Sequence, residues 1–327
     1  MRDNYYSFMK GVAIIAVLFI HTSFMSSGES GILARQLFTF AVSMFFFLSG
    51  YFTKLEENID FKGIIRIMIP YSLWSIMWFA FTSITGSQPV TLWKIINTIF
   101  FGGAFFPLYF LIVLVELKLL SPFIIKNIKR LTNGNSYQLH KDYMLLITPI
   151  TLGILYAIQY YTKQQPTIYA QIFPTWFIMY YIGCLYRFDA IKVDSQKALL
   201  AIIASIYIMN VEATFINKVL NIPFWAASQI KISSFLYSIS LCILFMNLHR
   251  HVKRGIIVRL GEYSFGIFLL HIPVKMLIEK IILYAIPIQN PCWQILVVVL
   301  TLIVCWMVID VANRFLPERF NRYLGLK

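Results

Sequence analysis

Residues 10–21 read KGVAIIAVLFIH. Ten apolar or glycine positions separate a cation, Lys10, from an imidazole, His21. A helix turns about 100° per residue, so eleven steps close three turns with about 20° left over. Both titratable side chains therefore project from one helix face, about 16 Å apart along the axis. The stretch reads as the first crossing of a membrane, with Lys10 at its mouth and His21 deep inside.

The rest of the chain agrees. Of its 327 residues, 59% are hydrophobic and 13% charged, with a mean hydropathy of +0.72. That composition belongs to a bilayer-embedded chain. A crossing helix needs roughly 20 apolar residues. Ten segments qualify, at 9–26, 34–53, 64–84, 104–125, 143–161, 168–187, 197–216, 228–248, 260–284 and 292–315. No polar or Pro/Ser-rich linker divides them, so residues 1–327 are expected to form one all-α polytopic domain. The N-terminal apolar run lacks an A-x-A-like cleavage site and is not expected to be a signal peptide.

Orientation follows from the cations. With the N-terminus inside, 20 of the 28 Lys and Arg fall on inner loops and five on outer ones, Arg35, Lys94, Lys163, Lys218 and Lys231. This positive-inside split places both termini in the cytoplasm, most simply across a bacterial cytoplasmic membrane. It also explains the net charge of +14 without nucleic acid. Cys184, Cys242, Cys292 and Cys305 show neither CxxC nor His-paired spacing, so no disulfide framework and no metal site is expected. In the outer loop at 85–103, TLWKIINTIFFGG has helical apolar spacing and suits an interfacial helix. Paired broken helices of the inverted-repeat kind are missing, which counts against a transporter.

Polar groups inside the bilayer are costly and mark function by default. His21 is one: imidazole ionises near neutrality and suits general base work. In MFFFLSGYFTK (44–54), Ser49 offers a hydroxyl and Gly50 a close backbone approach, or the pair is a packing patch. In KGIIRIMIPY (62–71), Lys62 and Arg66 enter the third segment from the basic side. An arginine fork there suits phosphate oxygens; the competing role is snorkelling. In SFGIFLLHIP (264–273), His271 lies twelve residues past Arg259, and Glu116 lies about ten from its nearest inner loop. His21, Glu116 and His271 therefore reach a similar depth, as the walls of a polar cavity would.

Together these stretches resemble the acyltransferase 3 family of integral membrane O-acyltransferases. KGVAIIAVLFIH resembles its first-helix cation, ten residues, then His; FFFLSGYF its FF-x-LSG-[FY]; RIMIPY its Arg-x-x-x-Pro-Tyr; and SFGIFLLHIP its late S-[YF]-x-[IL]-[YF]-L-x-H. The matches run in family order from residue 4 to 273, and the Lys-Gly opening is similar to the fucose 4-O-acetylase and capsule-modifying branch. Ser7 stands where the family often has Asp, Gly63 where it often has a second Arg, and Tyr109-Phe110-Leu111 where it often has Trp-Phe-Leu. No SGNH-type esterase domain is expected after the last helix.

The resemblance implies acyl transfer, usually of acetyl, from acetyl-CoA or another acyl-CoA to a sugar hydroxyl of a cell-surface or lipid-linked glycan. His21 would act as general base or transient acyl carrier, with Ser49 and His271 nearby and Glu116 orienting His21. Arg66, with Lys10 or Lys62, would hold the CoA phosphates. Expected partners are acyl-CoA, the glycan acceptor and membrane lipids, without nucleic acid; a homo-oligomer is compatible. The rival classes are a transporter or flippase for a polysaccharide precursor or acyl metabolite, and a non-catalytic scaffold or sensor.

Overall fold

A computed structural model describes residues 3–22, 28–84, 91–133, 136–166, 168–249, 251–285 and 291–327. Each of the ten apolar segments carries helix. The chain runs α1 (Asn4–Ile20), α2 (Gly28–Gln36), α3 (Phe40–Tyr51), α4 (Phe61–Ile84), α5 (Leu92–Phe100), α6 (Tyr109–Leu131) and α7 (Ile147–Thr162). It continues with α8 (Phe173–Arg187), α9 (Ser195–Lys218), α10 (Pro223–Ala226), α11 (Ile232–Asn247), α12 (Ile256–Glu262), α13 (Ser264–Ala285), α14 (Pro291–Phe315) and α15 (Glu318–Tyr323). A two-residue antiparallel pair, Thr132–Asn133 with Ser136–Tyr137, follows α6. The architecture is all-α.

Six spans among the described residues are long and apolar enough to cross a membrane: Gly28–Tyr51, Phe61–Ile84, Phe106–Leu131, Tyr143–Thr162, Ser195–Lys218 and Trp293–Phe315. The chain is a multi-pass membrane protein. The remaining apolar helices include α1 and α11, which are shorter. Of the predicted segment 9–26, residues 23–26 lie outside the described set, as do residues 85–90 of the loop that precedes α5.

Burial sorts the helices. The spans that hold α3 and α6 are each 67% buried, whereas those of α4, α7 and α9 are 28%, 22% and 28% buried. Ile65, Ile76, Met77 and Phe81 of α4 are exposed, as lipid-facing side chains are. The inner ring packs α1 against α12 and α3, and α3 against α8 and α11. Hydrophobicity gives little drive between helices in lipid, so close contact relies on small residues. At the α3–α8 crossing a Cβ on Gly50 would meet the Tyr180 carbonyl oxygen at 2.0 Å. One on Gly183 would meet the Phe47 carbonyl oxygen at 2.1 Å.

The loops grouped by their cations do meet one another. Lys129 reaches Glu57 at 3.1 Å, joining the end of α6 to the α3–α4 loop. Asn4 donates to the Val252 carbonyl at 3.1 Å, and Asn247 to that of Val193 at 2.6 Å. At the opposite end Lys218 pairs with Glu29 at 2.7 Å. Lys10 belongs to the first, basic end and His21 to the second.

Candidate active site

α1 stops at Ile20, where the backbone N–H of His21 goes to the Leu18 carbonyl and that of Thr22 to the Phe19 carbonyl. A helix end leaves carbonyl oxygens without partners. The guanidinium of Arg35, on α2, donates to the Ile20 carbonyl, so the end of α1 is closed by a side chain from the next helix. Arg35 thereby shares a cavity with His21.

His271, on α13, is fully buried, and its ring centroid lies 5.2 Å from that of His21. Its Nδ1 is 2.6 Å from the Phe268 carbonyl oxygen. A carbonyl accepts only, so Nδ1 carries the proton and Nε2 keeps its lone pair. That Nε2 has no partner among the described residues. The sequence placed the two histidines at one depth; the fold makes them neighbours.

Two cavities lie along this axis. The one at the His21 end has a volume of about 40 Å³, with His21, Arg35, Tyr109, Tyr169, Ser228 and Gln229 in its wall. As it stands it has room for water, so a thioester and a hydroxyl meet there only when its walls part. The one at the Lys10 end is larger, about 180 Å³, and includes Lys10, Phe45, Ser49, Leu114 and Ser264. Phe110 and Phe268 line both. α1, α3, α6 and α13 each contribute to both chambers, so the pair follows the bundle axis. On α1 the lining positions are Lys10, then Val17, Ile20 and His21, the single face that the three-turn spacing predicts.

Two irregular segments help to build the His21 chamber, and they explain why α8 and α11 are short. Backbone without helix survives at membrane depth only when protein satisfies it or it lines a cavity. Residues 168–172 precede α8 as turns, with Ala170 and Gln171 buried. Thr175 Oγ1 donates to the Tyr169 carbonyl and Trp176 Nε1 to that of Ala170, both at 2.9 Å. Residues 227–231 precede α11. There Lys231, fully buried, donates from Nζ to the Ala226 carbonyl at 2.7 Å and to Gln36 Oε1 at 2.6 Å. Tyr169, Ser228 and Gln229 reach the chamber from these two segments. Gln229 Nε2 is 3.4 Å from the Tyr109 hydroxyl, and its buried Oε1 has no partner among the described residues.

The other predicted site residues fall elsewhere. Ser49 lines the Lys10 chamber and Gly50 is a helix contact. Glu116 Oε2 accepts the backbone N–H of Phe173 at 3.0 Å, so it sits at the N-terminus of α8 rather than lining either chamber. Lys62 and Arg66 are exposed on α4, outside both chambers. Beside them a Cβ at Gly63 would lie 2.2 Å from Asp60 Oδ2. Burial pushes the Asp60 carboxyl up, but Lys54 at 3.2 Å and the Gly63 N–H outweigh it and hold it below its ordinary value. Gly63 thus gives the Asp60 carboxylate room at the start of α4. Among the described residues no His, Cys, Asp or Glu group is arranged to hold a metal ion.

Sequence reasoning missed Arg35, Tyr169, Ser228 and Gln229. Arg35 was indistinguishable from a loop anchor, and the others sit in segments apolar enough to be taken as helix. Pro174 and Pro223, each next to an irregular stretch, were the signals available.

A family model described as an acyltransferase domain matches residues 3–310. No curated protein and no solved structure matches the chain.

Proposed function

The chain belongs to the acyltransferase 3 family over nearly its whole length, and from that premise we propose that it moves an acyl group, acetyl first, from acyl-CoA to a sugar hydroxyl of a cell-surface or lipid-linked glycan. It is a membrane acyltransferase, and the family implies an acyl donor and an acceptor. Our reading adds their identity, the site and the sidedness, with Lys10 facing the cytosol of a bacterial cytoplasmic membrane.

The observation that carries the reading is the pair of chambers ending on Lys10 and His21 and meeting at Phe110 and Phe268. Coenzyme A is anionic and cytosolic. Arg66 and Lys62 on the basic face hold its phosphates, and Lys10 stands at the mouth of the inner chamber. The pantetheine arm then follows the axis toward His21, about 16 Å away along α1.

At His21 the acceptor hydroxyl loses its proton to the imidazole as its oxygen bonds to the thioester carbonyl carbon. The carbonyl oxygen becomes an oxyanion, and Arg35 is the cation of that chamber. Collapse breaks the C–S bond. The CoA thiolate leaves and takes up a proton, and the acyl group stays on the sugar oxygen. His271, whose ring lies 5.2 Å from that of His21 and whose Nε2 bonds to none of the described residues, is the second imidazole of the chamber and packs beside the base. Ser49 lines the path of the arm. Glu116 supports the N-terminus of α8 and through it the Tyr169 segment. The Tyr109 and Gln229 side chains suit hydroxyl-bearing acceptors.

The test uses sealed vesicles with acetyl-labelled acetyl-CoA and native envelope glycans. Label is expected on glycan in the parent protein. It should fall by two orders of magnitude or more in His21→Ala, with expression and elution profile unchanged. Label that crosses the membrane without joining a sugar makes the protein a carrier and ends the proposal. Near-normal turnover in His21→Ala removes His21 from the chemistry.

A further inference from the structure

We propose that Phe110 and Phe268 form a partition between the two chambers and that this partition sets the size of the acyl group that can be transferred. The inference rests on the acyl-CoA reading above and gives two residues outside its chemistry a role in it.

Phe110 and Phe268 are the residues common to both chamber walls. Their ring centroids are 5.3 Å apart at 60°, an edge-to-face contact. Rings so placed touch, and an acyl group cannot pass without turning one aside. Phe110 is braced behind by Phe46 at 4.7 Å and flanked by Phe45 at 6.1 Å. Both phenylalanines are buried, at 8% and 7% exposure. The gap between them therefore has hard walls, as a size filter requires.

Phe268 carries a second constraint. Its carbonyl oxygen holds His271 Nδ1, and its ring lies 5.9 Å from the His271 ring. Displacing the Phe268 ring consequently changes the packing around His271. A small acyl group needs only a modest ring rotation. A longer chain needs a larger displacement and leaves His271 without its packing partner. Discrimination against added methylenes in an apolar slot typically amounts to tenfold or more.

The experiment compares acetyl-CoA with butyryl-CoA as donors for the parent, Phe268→Ala, Phe268→Leu, Phe110→Leu and Phe268→Trp, each purified as full chain. Exposed Phe123→Ala, on α6, is the control. The parent is expected to favour acetyl at least tenfold. The two leucine variants and Phe268→Ala should raise the butyryl-to-acetyl ratio of kcat/KM by tenfold or more. Phe268→Trp should depress acetyl transfer while its apparent KM for acetyl-CoA stays near the parent's. Phe268→Leu, which keeps an apolar side chain in place, covers the case in which the alanine variant does not fold. An unchanged ratio in the leucine variants overturns the partition, as does a parent that uses butyryl as readily as acetyl. Absence of transfer from any acyl-CoA by the parent overturns the underlying reaction instead, and the two failures are distinct.

Discussion

Gly50→Ala and Gly153→Ala are the same substitution inside two helices of one chain, and the structure predicts opposite outcomes. The Cβ added at Gly50 falls 2.0 Å from the Tyr180 carbonyl oxygen, where ordinary contact begins at 3.4 Å. The obstacle is backbone, so no rotamer change relieves it, and α3 must move off α8 by more than about 1 Å. Sliding is blocked because Gly183 makes a matching approach to Phe47. Overpacking of this kind costs roughly 1–3 kcal/mol. For a chain of this length that corresponds to a melting point lower by roughly 2–4 °C. Activity should fall further than stability. α3 also supplies Phe45 and Ser49 to the inner chamber, and a misplacement near 1 Å can cost about a hundredfold in rate. Gly153 on α7 meets no heavy atom within 4 Å. Alanine there should stabilise by about 0.5–1 kcal/mol through helix propensity alone. Thermal unfolding in detergent and the labelled-acetyl assay read both effects. Equal tolerance of the two substitutions would refute the backbone contact between α3 and α8.

Lys231→Ala should lower stability by on the order of 3 kcal/mol, because Gln36 Oε1 and the Ala226 carbonyl both lose a buried donor inside the bundle; thermal melting checks it, and a change within error would remove Lys231 from that role. Arg66→Ala should raise the apparent KM for acyl-CoA without raising that for the acceptor, and an unaltered donor dependence would leave Arg66 as a snorkelling anchor. The Asp3 carboxyl is held below its ordinary 3.8 by the Tyr5 backbone N–H, with His249 at 2.6 Å adding to the effect. Its contribution is complete above that value and fades as pH falls through the lowered one. Melting curves of Asp3→Asn should therefore lie slightly below the parent's at neutral pH and converge with them in acid.

Much of the helical framework was legible because its signals are local. The apolar runs fix where helices form, and the spacing from Lys10 to His21 fixes which face they share. The cation count grouped loops that are in fact in contact, as Lys129 with Glu57 shows. What could not be read is where helices stop short of their apolar run. Residues 168–172 are nearly as apolar as their neighbours, and the polar run 227–231 is short enough to be absorbed into the apolar segment beside it; the side chains that bond to the backbone there make the breaks tolerable. Those partners include Gln36, 190 positions from Ala226. Glu116 was placed at the histidines' level, but its position on α6 turns it toward Phe173. Arg35 had the composition of an anchor and a position in the wall of the His21 chamber.

The bond between Lys231 and Gln36 also bears on how the chain enters its membrane. Its two ends lie 195 positions apart, and synthesis delivers Gln36 long before Lys231. A lysine near the head of an apolar helix resists insertion, by roughly 2.5–3.5 kcal/mol at mid-membrane. In this chain one of its two acceptors, Gln36, is already in place on α2 when α11 arrives, and the other, the Ala226 carbonyl, travels with it. Misplacing α2 would leave the lysine to the Ala226 carbonyl and so make entry of α11 more costly.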